Sequence, residues 1–224
     1  MALTLIIGNK NYSSWSLRPW LALKVAGIRF DEIVIPLYEP GSREAILRYS
    51  PSGKVPVLID GDRHIWESLA ILEYLAENFP HSKLWPTDAT ARAQARAVAT
   101  EMHGGFQALR NNCPMNLWLP PKKRAQPDDV MSDVRRIDAL WSDCRARFGE
   151  GGAFLFGEFG AADAMYAPVA SRLHSYGLDV SETARAYVDA ILMLPAFHEW
   201  RAAGLKEPWV MQHNEPDWPL VRGV

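Results

Sequence analysis

The chain has 224 residues, 48% hydrophobic and 22% charged, with a formal net charge of -2. That length allows one or two domains, and the composition is that of a folded globular chain rather than a disordered one. So small a charge offers no electrostatic basis for nucleic acid or an anionic membrane as partner, and an anionic small ligand would have to be held by local groups.

Residues 1–15 lack a charged leader, their apolar run is too short for a signal peptide, and no apolar stretch is long enough to span a bilayer. A cytoplasmic location is the expectation. Residues 3–7 (LTLII) predict a buried strand ended by Gly8-Asn9. Residues 14–26 carry apolar side chains around a helix that Gly27 would stop. Arg29–Ile35 alternates up to Pro36, giving a second strand parallel to the first through the crossover. A short helix over Ser42–Tyr49 and the turn Ser50–Gly53 follow. Val55–Ile59 and Arg63–Trp66 then flank Asp60-Gly61-Asp62 as an antiparallel hairpin. Residues 67–78 repeat leucines at helical spacing. The order β-α-β-α-β-β-α is that of a thioredoxin-like α/β domain over 1–79. Residues 80–88 read as a linker and 89–224 as an all-helical domain, with helices over 89–112, 128–148, 161–176, 182–193 and 196–203. The tail from Leu205, with Pro208, Trp209, Pro216, Trp218 and Pro219, should pack on the surface without regular structure.

Three segments carry chemistry, and each also has a structural reading. Tyr12-Ser13-Ser14-Trp15-Ser16-Leu17-Arg18 opens the first helix. A serine there is a good N-cap. A hydroxyl beside free N–H groups and the positive helix end can equally stabilise a bound thiolate. Lowering a thiol by about two units from about 8.5 takes roughly 2.7 kcal/mol, within reach of one charge-assisted hydrogen bond plus a helix terminus. Ser52-Gly53-Lys54-Val55-Pro56-Val57 is either a turn before an edge strand or a cis Val55-Pro56 bend that lets Val55 pair with a ligand's peptide backbone. Glu67-Ser68 is either a helix start or a pair binding an ammonium and a carboxylate.

Falling together in one topology, these segments resemble the cytosolic glutathione transferases. SSWSLRPWLALKVAGI is similar to the serine-type enzymes, above all the zeta class, whose motif reads Ser-Ser-Cys-Ser before an Arg. PSGKVPVLIDG with WESLAILEYL resembles the family's cis-proline loop and Glu-Ser pair, and GEFGAADAMYAPV its helix-start motif in the second domain.

The resemblance implies that glutathione is the co-substrate and that its thiolate attacks a small electrophile. Ser13 is implied as the catalytic hydroxyl, five residues before Arg18, with Ser14 as second choice. Lys54 would meet the glycyl carboxylate, Val55 beside Pro56 the cysteinyl backbone, and Glu67 and Ser68 the γ-glutamyl end. Arg18 is expected to support the fold. Tyr12, Trp15, Met102, Phe106, Met115 and Tyr166 are candidates for the second-substrate pocket, as plain core is the competing reading for aromatic and methionine side chains. His103 and Arg110, two turns apart on one expected helix face, either face an anionic substrate or form a surface pair. A homodimer is also implied. Two departures stand out: Trp15 occupies the zeta cysteine, and Gly160 replaces the Ser or Thr three residues before Asp163, leaving half a capping box. Cys113 and Cys144 lack metal-ligand or C-x-x-C spacing and are expected as free thiols; no metal site is expected. With no cysteine in residues 1–112, disulfide exchange in the first domain is excluded. Two alternatives stay open: a glutathione-dependent isomerase of the maleylacetoacetate type, and a non-catalytic interaction module.

Overall fold

A computed structural model describes residues 3–215 of the chain. The first half holds β1 (Leu3–Ile7), α1 (Ser14–Val25), β2 (Phe30–Val34), α2 (Ser42–Leu47), β3 (Val57–Asp60), β4 (Arg63–Trp66) and α3 (Ser68–Asn78). The sheet order is β2-β1-β3-β4, with β1 and β2 parallel and β3 antiparallel to both neighbours. Alternation sorts the β1 side chains by face. Leu3, Leu5 and Ile7 join the large core with α1 and α3, whereas Ile6 meets Ile46 of α2 and Val57 of β3. Both faces of β1 are therefore covered, which is why its run is apolar without a break. The outer strand β2 exposes Asp31 and Glu32, charges that suit an edge. The thioredoxin-like order expected from the sequence is the observed one.

The second half is helical: α4 (Ala89–Gly104), α5 (Gln107–Asn112), α6 (Asp128–Phe148), α7 (Ala161–Ser175), α8 (Glu182–Leu192) and α9 (Pro195–Leu205). The single helix expected over 89–112 is two. Gly104-Gly105 has low helix propensity, Gly105 is extended, and Phe106 turns left-handed at φ +59°. A Cβ on Gly105 would stand 2.7 Å from the Glu101 carbonyl oxygen, so the break is built around glycine. At the start of α7, Asp163 accepts from the Gly160 and Leu155 N–H groups and from the Tyr187 hydroxyl. That is the surviving half of the capping box.

α7 is apolar nearly all round and is the buried axis of the molecule, packing on α1, α4 and α8. α1 is buried likewise between the sheet, α3, α7 and α9. The segment after α9 runs back over the first loop, with Met211 buried and a 3-10 turn at Gln212–Asn214. Pro208 and Trp209 lie outside regular structure, as expected. Pro216, Trp218 and Pro219 lie outside the described residues. No described helix is long and apolar enough to cross a membrane.

Candidate active site

The loop from Gly8 to Ser13 carries β1 into α1, and the second half of the chain holds it in place. Glu207 accepts the Lys10 and Asn11 N–H groups through its two carboxylate oxygens, at 2.7 and 2.9 Å. Trp200 Nε1 donates to the Lys10 carbonyl, and Asn11 Oδ1 accepts from the Leu117 N–H. α9 comes so close that a Cβ on Gly204 would lie 3.0 Å from Asn11 N. A loop pinned at so many backbone atoms presents its side chains on a rigid base.

Ser13 is the N-cap of α1. Its Oγ accepts from the Ser16 N–H at 3.4 Å and donates to Ser16 Oγ at 2.8 Å, and Ser16 Oγ accepts in turn from the Gly8 N–H. Ser14 Oγ forms no hydrogen bond among the described residues. Both serines border a cleft of about 910 Å³ that opens between the two halves. Tyr12 also borders it, but its hydroxyl donates to Glu215, and burial followed by that hydrogen bond pushes its pKa well up.

On the facing wall the Val55-Pro56 peptide is cis, and no hydrogen bond within the described residues uses the Val55 N–H or carbonyl. Lys54 borders the cleft beside Arg43, whose guanidinium lies against Gly53 at φ +65°. Glu67 sits just before α3 at φ +68° and ψ +124°, a conformation uncommon outside glycine that aims a half-exposed carboxylate beside His103. Ser68 is fully buried, accepting from Arg18 Nη1 at 3.4 Å.

The cleft gathers Ser13, Ser14, Lys54 and Val55, with Tyr12, Trp15, Arg110 and Met115 from the second-substrate candidates. Pro56, Glu67 and Ser68 adjoin it without lining it. Met102, Phe106 and Tyr166 do not reach it: Met102 and Phe106 point into the core, and the Tyr166 hydroxyl donates to the Val98 carbonyl. His103 packs edge-on against Trp15 and lies 3.6 Å from Glu67, outside the cleft lining. The helix break also separates His103 from Arg110, which turns back to donate to the Met102 and His103 carbonyls at the end of α4. Arg18 lines the cleft as well as supporting the fold. Arg172, unnoticed in the sequence, reaches it from α7; a lone arginine in a mostly apolar helix was a signal for it. Cys113 and Cys144 are free and buried, and burial pushes each thiol up to about 12. Neither is a nucleophile near neutral pH.

Profiles described as the glutathione S-transferase N-terminal and C-terminal domains match residues 12–78 and 90–203. The chain belongs to the glutathione S-transferase family. Among curated members, it is 30% identical over 175 residues to glutathione S-transferase 1 of Dianthus caryophyllus, covering 76% of this chain and 78% of that one. It is 27% identical over 224 residues to the maleylacetoacetate isomerase of Pseudomonas aeruginosa, covering 95% and 97%. A glutathione transferase homolog from Burkholderia, crystallised with bound glutathione, shares the fold with a TM-score of 0.68 at 21% identity, covering 91% of this chain and 98% of that one. Within this glutathione S-transferase fold, the cleft lies between the sheet half and the helical half.

Proposed function

We propose that the chain transfers glutathione to a small electrophile, with the thiol placed at the N-terminus of α1. The observation that carries this reading is the pairing of an unengaged hydroxyl, Ser14, with the unpaired peptide groups of Val55 across one cleft. A glutathione backbone on Val55 sets its thiol toward α1, where the helix terminus and one hydroxyl favour the thiolate. The thiol proton leaves to solvent, the sulfur forms a bond to the electrophilic carbon, and a leaving group such as halide departs. No covalent enzyme intermediate is needed; orientation and thiolate stabilisation are the protein's part. Lys54, with Arg43 beside it, would take the glycyl carboxylate, and Glu67 with Ser68 the γ-glutamyl end.

The hydrogen bonds favour Ser14 over Ser13 as the direct donor, reversing the order the resemblance implies. Ser13 must turn its hydrogen away from Ser16 Oγ to donate, whereas Ser14 has no competing acceptor. Titrating the thiolate absorbance of enzyme-bound glutathione tests the assignment. Ser14→Ala is expected to raise the bound thiol by about one unit or more, the hydroxyl's share of the thiolate preference, while the helix terminus keeps the remainder. A bound thiol unchanged in Ser14→Ala but raised in Ser13→Ala returns the role to Ser13. No change in either variant defeats the reading of this helix start.

A division near 80–88, a cytoplasmic location and a homodimer belong to the same reading. Trp66, exposed on the outer strand β4, is apolar surface that a second copy would cover. Sedimentation of the purified chain checks the dimer. An isomerase is the second reading, favoured by the near-full-length likeness to a maleylacetoacetate isomerase. Turnover of cis-dienone acids, with glutathione recovered unchanged, would select it.

A further inference from the structure

Three of the four arginines that border the cleft are buried or half-buried, and among the described residues no carboxylate is ion-paired with any of these three. Arg18 comes from α1, Arg110 from α5 and Arg172 from α7. Arg18 is 1% exposed and Arg172 5%. Their hydrogen bonds run to neutral groups: Arg18 to the Ser68 hydroxyl, Arg110 to the Met102 and His103 carbonyls, and Arg172 Nε to the Cys113 carbonyl at 2.8 Å. The Nε atoms of Arg18 and Arg110 are buried without any acceptor. None of the three forms an ion pair among the described residues. The acidic groups acting on them are Glu67 for Arg18 and Asp133 for Arg110. Glu67 is half exposed beside His103, and Asp133 accepts from the Leu109 N–H.

A guanidinium does not shed its proton near neutral pH, so burial leaves three charges in place. Burial depresses all three, and the like charges add to this at Arg18 and Arg172, taking Arg172 down to about 10. Trp15 receives Arg18 at 4.1 Å and Arg110 at 4.9 Å from its ring centre. Such stacking orients guanidinium groups without neutralising them. Buried charge is ordinarily paired, and the missing partner here faces a cleft large enough for a substrate.

We propose that Arg18, Arg110 and Arg172 form an anion subsite for the carboxylate of the second substrate, so that the electrophile is an organic acid rather than a neutral hydrophobe. The subsite rests on the transferase reading for its place beside the thiol. Two of its three arginines come from the helical half, whereas the groups assigned to glutathione's own carboxylates, Lys54, Arg43 and Ser68, all come from the sheet half.

The test compares 4-chloro-3-nitrobenzoate with its methyl ester as electrophiles. In each, the thiolate displaces chloride, one C–S bond forming as one C–Cl bond breaks, and each enzymatic rate is divided by its uncatalysed rate. The wild type is expected to prefer the acid by about tenfold or more in kcat/KM, the scale of a charge-assisted hydrogen bond. That preference should collapse toward unity in Arg110→Gln and survive in part in Arg110→Lys, with the KM for glutathione little moved. Arg172→Gln is the second variant, should Arg110→Gln fail to fold by circular dichroism. A wild type indifferent to the acid, or a variant that loses glutathione affinity while keeping its acid preference, overturns the subsite. Should neither compound turn over, equilibrium binding followed by tryptophan fluorescence separates the two readings. Acid bound in preference to ester keeps the subsite and defeats the transferase; no preference defeats the subsite as well.

Discussion

Ser13 and Ser14 are neighbours with the same side chain, and they differ in what their hydroxyls already do. Ser13 caps α1 and donates to Ser16, so Ser13→Ala is expected to lower stability by about 1 kcal/mol besides any effect on the thiol. Ser14 has no such bond, and Ser14→Ala should leave the denaturation midpoint close to wild type. Measuring midpoint and bound-thiol titration on both variants separates capping from chemistry. Tyr12 brings the hydroxyl next in sequence to these two serines, and its proton is committed to Glu215. Tyr12→Phe should therefore leave the pKa of bound glutathione where it was; an upward shift would make the phenol the thiol's partner. The pair of serines was legible in the sequence because capping and thiolate binding both require a hydroxyl at a helix start. Which serine is free was not, since Ser16 Oγ and the Gly8 N–H decide it from outside the local pattern.

Helices show the same division between what neighbours specify and what distant groups impose. α6, α7 and α8 fall close to the spans that apolar periodicity predicts, because a helix buries one face and the spacing records it. The expected helix over 89–112 breaks at Gly104-Gly105, where two glycines of low helix propensity outweigh the apolar pattern that continues on both sides. Gly105→Ala would press a Cβ onto the Glu101 carbonyl, and a loss of about 1–3 kcal/mol in urea unfolding is expected. The start of α7 depends on one carboxylate. Asp163→Ala leaves two N–H groups and the Tyr187 hydroxyl without their acceptor, for an expected loss of about 2–3 kcal/mol. Burial pushes Asp163 up to about 6 against the pull of those donors. A carboxyl raised on folding binds its proton more tightly in the native state, so this group's contribution is fullest below about 4 and is lost as pH rises to about 6. Denaturation midpoints across that window should show the decline in wild type and lack it in Asp163→Asn. Equal slopes for the two proteins would assign the pH dependence elsewhere.

The two halves do not stand as independent bodies. α1 buries one side on the sheet and another on α7 and α9, Trp20 meets Trp200 edge-on, and Glu207 holds the loop that carries the serines. A fragment of residues 1–88 would expose that helical surface and free the loop. It is expected to lack a cooperative unfolding transition by circular dichroism, and a sharp transition would show that the sheet half needs no partner. Local order in the chain was enough to determine the strands, most helices, the order of the thioredoxin-like half and the hydroxyl-rich helix start, because turn residues and apolar periodicity act over a few neighbours. The meeting of Arg18, Arg110 and Arg172, the freedom of Ser14, and the exclusion of Met102, His103 and Phe106 from the cleft came only with the folded chain. Burial and charge depend on distance in space, and residues far apart in sequence share a field only once the core has brought α1, α5 and α7 to one wall.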